Sequence, residues 1–213
     1  MDGTLLDTVI DYGKLGTSVS DTLLDLGIPI TRINNHSSDV EMIRKGSEYL
    51  HSIGKEMSFD KISELVNKRC GDIEMEHVLE SAPFPGTDEL LRKIRTEGYL
   101  IGLLTRGQRI YAETAMSHCK VLDYMDAVEA FDDHPMGEQK PNPIAMEYLA
   151  KDLGIEPADI LYIGDSVWDY FCARDAGSSF IGIAAGEYGQ KKWENYRDEI
   201  ELIDSVADLL KMF

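Results

Sequence analysis

LYIGDSVWDYFCARDAG, residues 161–177, decides how the rest of the chain is read. Leu161–Gly164 make a short apolar run of strand type, and the helical stretch VWDYFCARDAG follows almost at once. Asp165 and Asp169 stand four positions apart at that junction. In an open parallel sheet, ligands gather outside the carboxyl ends of the strands, which is where this pair falls. Two carboxylates close together near a helix start suit a hard cation with oxygen ligands, Mg2+ above all. The competing structural reading makes Asp165 a helix cap and Asp169 a surface residue. Trp168 and Tyr170, in the same helix, read as packing residues.

Outward from this stretch one rhythm repeats. Upstream, the Pro85-Gly86 turn leads into TDELLRKIRTEG, with Thr87 as its N-cap and Gly98 as its stop. YLIGLLT is a strand, QRIYAETAMSHC a helix, AVEAF a weaker strand and DDHPMGEQKPNP a loop before the helix PIAMEYLAKDLG. Downstream come the strands SFIGIA and EIELI, then a last helix, DSVADLLKMF, capped by Asp204 or Ser205. Strands separated by helices of about ten residues predict an α/β class, a Rossmann-like parallel sheet with helices on both faces.

Residues 9–82 break the rhythm. LGTSVSDTLLDLGI places Leu15, Val19, Leu23 and Leu26 on one helical face, and DVEMIRKGSEYLHSI and FDKISELVNKRC repeat the amphipathic pattern. IEMEHVLESA adds a short fourth helix. The expected division is an α/β core from residues 1–8 and 83–213, with an all-helical domain, 9–82, inserted between them.

Composition narrows the function. With 39 acidic residues against 21 Lys and Arg, the net charge is −18, which argues against nucleic acid as a partner, because phosphate backbones need clustered basic residues. An acidic protein that handles an anion needs a local positive site, supplied by a metal ion or a few basic side chains. No run of about 18 apolar residues is present, which excludes a spanning helix and leaves the membrane out as a partner. The sequence contains no basic-then-apolar leader, so the cytoplasm is the expected compartment. Cys70, Cys119 and Cys172 form neither a zinc spacing nor a disulfide framework, in keeping with a reducing compartment. His36, His51, His77, His118 and His134 show no ligand spacing.

Two further features, one at a strand end and one in a loop, bear on chemistry but are weak taken singly. LLTRG ends a strand at Thr105, and a hydroxyl beside the free N–H groups of a helix start is a ready site for a phosphate oxygen, although Thr is also a common cap. Lys140 in GEQKPNP is held next to Pro141 ahead of a helix, although a lysine taken alone is usually just solvated. Taken with DGTLLD at 2–7, PFPGTDELL at 83–91, KPNP at 140–143 and GDSVWD with ARDAG at 164–177, the chain resembles the haloacid dehalogenase superfamily. The likeness is to its phosphoglycolate-phosphatase-like branch with a helical cap. Four motifs in the right order, each at a strand end, make the resemblance specific over the core; the cap fits by position and helicity.

The resemblance implies a phosphatase that hydrolyses a small phosphate monoester through an aspartyl-phosphate. Asp2 would be the general acid and then the base. Mg2+ would be held by the backbone carbonyl of Asp2 and by Asp165, with Asp169 supporting the metal shell. Thr105, Arg106 and Lys140 would bind the phosphoryl group, a mostly electrostatic task. The family pattern is Asp, any residue, Asp, Gly, Thr, and Met1 holds its second position. The nucleophilic Asp and its strand are therefore expected just ahead of Met1. That strand would lie between the strands ending at Thr105 and Gly164, leaving those two about 10 Å apart without it. A phosphomutase on the same scaffold, or a non-catalytic relative that binds or regulates, are the alternatives. A dehalogenase fits less well, since it needs neither Asp2 nor the carboxylates at 165 and 169.

Overall fold

The computed structural model describes residues 1–33 and 38–212; His36 lies outside them. The chain divides into two compact units, Ile10–His77 and a second made of Met1–Val9 with Val78–Phe213.

The first unit is helical: α1 (Tyr12–Asp25), α2 (Asp39–Ser52) and α3 (Phe59–Met75). Asp11, Ser38 and Ser58 cap them, each side chain accepting from the backbone N–H three positions on. Val19 and Leu23 of α1 are buried with Ile43 and Leu50 of α2 and Ile62 and Val66 of α3, while Leu15 and Leu26 are half-buried. Gly46 lets α2 close on α1, because a Cβ there would stand 2.7 Å from a Leu23 methyl. The expected fourth helix is absent. Ile73–Met75 finish α3, and Val78–Glu80 make only a 3-10 turn.

The second unit begins with β1 (Leu6–Asp7), which pairs antiparallel with β2 (Ala82–Pro83). β3 (Gly102–Leu104) and β4 (Ala127–Glu129) pair in parallel. So do β5 (Leu161–Gly164), β6 (Ser179–Ile183) and β7 (Glu201–Ile203). Between the strands run α4 (Thr87–Thr96), α5 (Arg109–His118), α6 (Ile144–Leu153), α7 (Val167–Ala176) and α8 (Gly186–Lys192). The expected helix at the C-terminal end is a 3-10 stretch, Val206–Lys211, with Ser205 at its N-cap. Thr87 is not the cap of α4. Gly86, at φ +87°, takes that place, and the Thr87 hydroxyl donates to the Leu5 carbonyl at 2.9 Å.

The parallel sheet is in two pieces. Thr105 N–H donates to Glu129 O at 2.9 Å, and Asp126 N–H to Ile101 O at 2.7 Å, so residues 101, 103 and 105 face β4. Ser179 N–H donates to Ile160 O at 3.0 Å, so residues 160, 162 and 164 face β6. By alternation Gly102 and Leu104 on one side, and Leu161 and Ile163 on the other, point their backbone groups at an opening with no ladder across it among the described residues. One core spans both pieces, with Leu104 of β3 and Tyr162 of β5 packing in one cluster with Met146 and Leu149 of α6 and Cys172 and Ala173 of α7. Leu90, Ile181, Ile183, Val206 and Leu209 form a second cluster with α4. Each fully buried Leu or Met contributes about 1.5–3 kcal/mol, so apolar packing can hold β3 and β5 in one unit without backbone pairing.

Candidate active site

The DGT loop is a tight N-terminal turn. The Met1 carbonyl accepts from Thr4, Leu5 and Leu6 N–H at 3.2, 2.8 and 3.1 Å, and Gly3 sits at φ +67°. A Cβ on Gly3 would lie 2.6 Å from Asp165 Oδ2, so the loop can press against that carboxylate only because position 3 is glycine. The Thr4 hydroxyl donates to Asp165 Oδ1 at 3.3 Å. Asp2 Oδ1 accepts from the hydroxyl of Tyr111, on α5, at 2.6 Å.

At the end of β5, Ser166 rather than Asp165 caps α7. Its Oγ accepts from Trp168 N–H at 3.2 Å, and its own N–H donates to Asp169 Oδ2 at 3.1 Å. The cap turn draws Asp169 inward, and its side chain is 7% exposed against 31% for Asp165. Gly164 makes room, since a Cβ there would stand 2.5 Å from Asp169 Oδ2. Trp168 is not a packing residue. It is 47% exposed, with the Arg106 guanidinium 6.0 Å from its ring centre. Arg106 is itself exposed, whereas Thr105 is buried and its Oγ accepts from Gly107 N–H at 3.0 Å.

Lys140 is the hub of a buried network. Its Nζ donates to Asp169 Oδ1 at 2.6 Å, to the Tyr162 hydroxyl at 2.7 Å and to Leu104 O at 2.9 Å. These use all three ammonium donors. Tyr162 O–H lies 2.9 Å from Leu104 O, its donation reaching from β5 to the unpaired edge of β3. The contact between residues 100–104 and 160–164 therefore runs through a side chain and not a backbone ladder. Burial and the neighbouring Asp169 push the Tyr162 hydroxyl well above its ordinary value, so it stays a donor. Burial also pushes the Asp169 carboxyl up, but the Lys140 charge and hydrogen bond more than offset this and hold it below the usual range.

The structure thus brings Asp2, Thr105, Lys140, Asp165 and Asp169 to the carboxyl ends of β3 and β5, with Arg106 at the surface beside them. Among the described residues no three Asp, Glu, His or Cys side chains gather as a metal cage. The donors fit a hard cation held directly at Asp165, with water completing the shell. A positive group is already drawn there: Lys192 Nζ donates to Asp165 O at 2.6 Å and lies 3.4 Å from Oδ2. Asp169, committed to Lys140 and Ser166, fits a supporting place behind it. Sequence reading missed Tyr111, Tyr162 and Lys192. Nothing near them in the chain marks them, since each acts on a residue brought close only by the fold.

Residues 1–183 match the model of the haloacid dehalogenase-like hydrolase family. A phosphoglycolate phosphatase of Vibrio vulnificus (strain CMCP6) is 28% identical over 216 residues, covering 99% of this chain and 92% of that one. One from Nitrosospira multiformis is 28% identical over 195 residues, covering 87% and 81%. Among crystal structures, a predicted phosphoglycolate phosphatase from Haemophilus somnus superposes with a TM-score of 0.62 at 23% identity, covering 100% of this chain and 94% of that one. A mutant of CbbY from Rhodobacter sphaeroides, in complex with xylulose-(1,5)-bisphosphate, gives 0.62 at 19%, covering 98% and 93%; at such identities both speak to the fold alone. The chain belongs to the haloacid dehalogenase-like hydrolases, and within them it is similar to phosphoglycolate phosphatases, which are phosphoric monoester hydrolases.

Proposed function

We propose that the protein is a Mg2+-dependent phosphatase acting on a small, phosphoglycolate-like phosphate monoester through an aspartyl-phosphate. The observation that carries the reading is the DGT loop pressed onto Asp165, with Thr105 and Lys140 at the same strand ends. The attacking carboxylate is assigned to a strand ahead of Met1, filling the opening between β3 and β5. The facing, unladdered edges of those two strands support that assignment.

When bound at Asp165 and the main-chain carbonyl of Asp2, Mg2+ supplies charge that neutralises the phosphoryl oxygens. Asp169 steadies Lys140 and the start of α7. The Thr105 hydroxyl and the Arg106 guanidinium donate to the non-bridging oxygens, and Lys140 adds positive charge from below. The Asp2 carboxyl gives its proton to the leaving oxygen as the P–O bond breaks, and it later takes one from the water that hydrolyses the acyl phosphate. The helical unit Ile10–His77 is assigned the part of a cap that selects the leaving group.

The test compares the 213-residue chain with a form extended into the coding sequence upstream of Met1, with and without Mg2+. Release of phosphate by the extended form alone, and only with the metal, is the expected result. In that form Asp2→Asn is expected to cost about 10²–10⁴-fold on alkyl phosphates, but less than about tenfold on para-nitrophenyl phosphate, which needs no proton donor. Equal losses on both esters would remove Asp2 from the acid role. A stop codon in frame directly ahead of Met1 would remove the assigned strand.

A further inference from the structure

Tyr111 is wholly buried, yet its hydroxyl ends 2.6 Å from Asp2 Oδ1, a short bond of the charge-assisted kind. Its ring is held from above. A Cβ on Gly107 would stand 2.8 Å from Tyr111 Cδ1, so the loop that follows Thr105 lies directly against the ring. The Gly107 N–H in turn donates to Thr105 Oγ at 3.0 Å. One rigid side chain therefore ties the loop carrying Thr105 to the carboxylate of Asp2. A carboxylate on a free rotor would share its two oxygens between several directions; here the bond from Tyr111 fixes Oδ1.

Resting on the phosphatase reading above, we infer that Tyr111 is the positioning residue of the general acid. It fixes Oδ1 of Asp2 and so presents Oδ2 to the leaving group. In the first half-reaction the P–O bond to the leaving group breaks with its electron pair going to that oxygen, while the bond from the attacking carboxylate to phosphorus forms. The leaving oxygen takes the proton from Asp2 Oδ2. The Asp2 carboxylate that results is stabilised by the hydrogen bond from Tyr111, whose own proton is never transferred. In the second half Oδ2 removes a proton from the attacking water as the water oxygen bonds to phosphorus. The bond from phosphorus to the acyl carboxylate breaks with its electron pair going to that carboxylate, and the hydrogen bond from Tyr111 again holds Asp2 in line. Hydrogen bonds to a charged partner change equilibria by about one to two powers of ten, and the gain is realised only where a proton must move.

The experiment uses the catalytically active form of the protein and a graded series of phosphate monoesters, from alkyl to para-nitrophenyl. Tyr111→Phe keeps the ring under Gly107 and removes only the hydroxyl. It is expected to lower kcat about 10- to 100-fold on alkyl esters, to change it less than about threefold on para-nitrophenyl phosphate, and to leave KM in place. A merely structural role would lower both substrate types together, and that result overturns the inference. Asp2→Asn is measured beside it. If Asp2→Asn shows the leaving-group dependence and Tyr111→Phe does not, the acid stands and the positioning role falls. If Asp2→Asn shows none, the acid assignment fails and takes the inference with it. Should Tyr111→Phe prove unstable, 3-fluorotyrosine at position 111 keeps the bond and alters its strength. A changed rate on alkyl esters alone supports the inference, and an unchanged one overturns it.

Discussion

Replacing Lys140 with Met is expected to lower the unfolding free energy by about 3–5 kcal/mol, a drop of roughly 6–20 °C in Tm for a chain of this size. Lys140 and Asp169 are each 7% exposed, so loss of the ammonium strands a carboxylate in the core. Met fills most of the volume and supplies no charge. The change also removes one of the two side-chain donors to the Leu104 carbonyl on the unladdered edge of β3. Thermal melts of Lys140→Met, Asp169→Leu and the double variant read the pair directly. The double variant should recover a large part of the loss, since an apolar replacement of both partners leaves neither charge of the pair stranded. A single-variant cost below about 1 kcal/mol would show that the network does not hold the two sheet pieces together.

Asp165→Asn is expected to act on turnover and not on the fold. Its carboxylate is partly open to solvent and makes only a 3.3 Å bond with Thr4 and a 3.4 Å contact with Lys192, so an isosteric amide should melt within a few degrees of the parent. The proposed metal position loses the carboxylate assigned to hold it directly. Activity on para-nitrophenyl phosphate in the active form should fall by on the order of 10²–10³-fold or more. Calorimetry should show weakened Mg2+ binding in parallel. Unchanged turnover, or Mg2+ binding as tight as in the parent, would move the metal away from Asp165.

How much of this was legible in the sequence depends on how local the cause is. The alternation of strands and helices, the stop at Gly98 and the strand ends at Thr105 and Gly164 follow from patterns within a dozen residues. The cap of α4 was misplaced because its cause is distant. Gly86 is preferred there in the left-handed region, where a Cβ would meet Ala207 at 2.9 Å, and that frees Thr87 to reach Leu5. Trp168 read as a packing residue because a tryptophan is usually buried, and its exposure depends on what the β3 and β5 loops leave uncovered. The candidate residues were visible one by one at strand ends. Their couplings were not: Tyr111 meets Asp2 across 109 positions, and Tyr162 meets the Leu104 carbonyl across 58. No periodicity carries such pairings, which exist only once the core has packed.

The two-piece sheet has a consequence on the timescale of isotope exchange. Within β3 the amide of Leu103 is tied to β4, while the amides of Gly102 and Leu104 face the opening; in β5 Tyr162 is tied to β6, while Leu161 and Ile163 are not. Deuterium uptake along each strand should therefore alternate residue by residue, fast beside slow, where an interior strand of a continuous sheet is slow throughout. That odd–even signature is a ruler for the opening. Any segment that pairs with both edges would erase it on both strands at once, and an occupant that merely sits nearby would leave it intact.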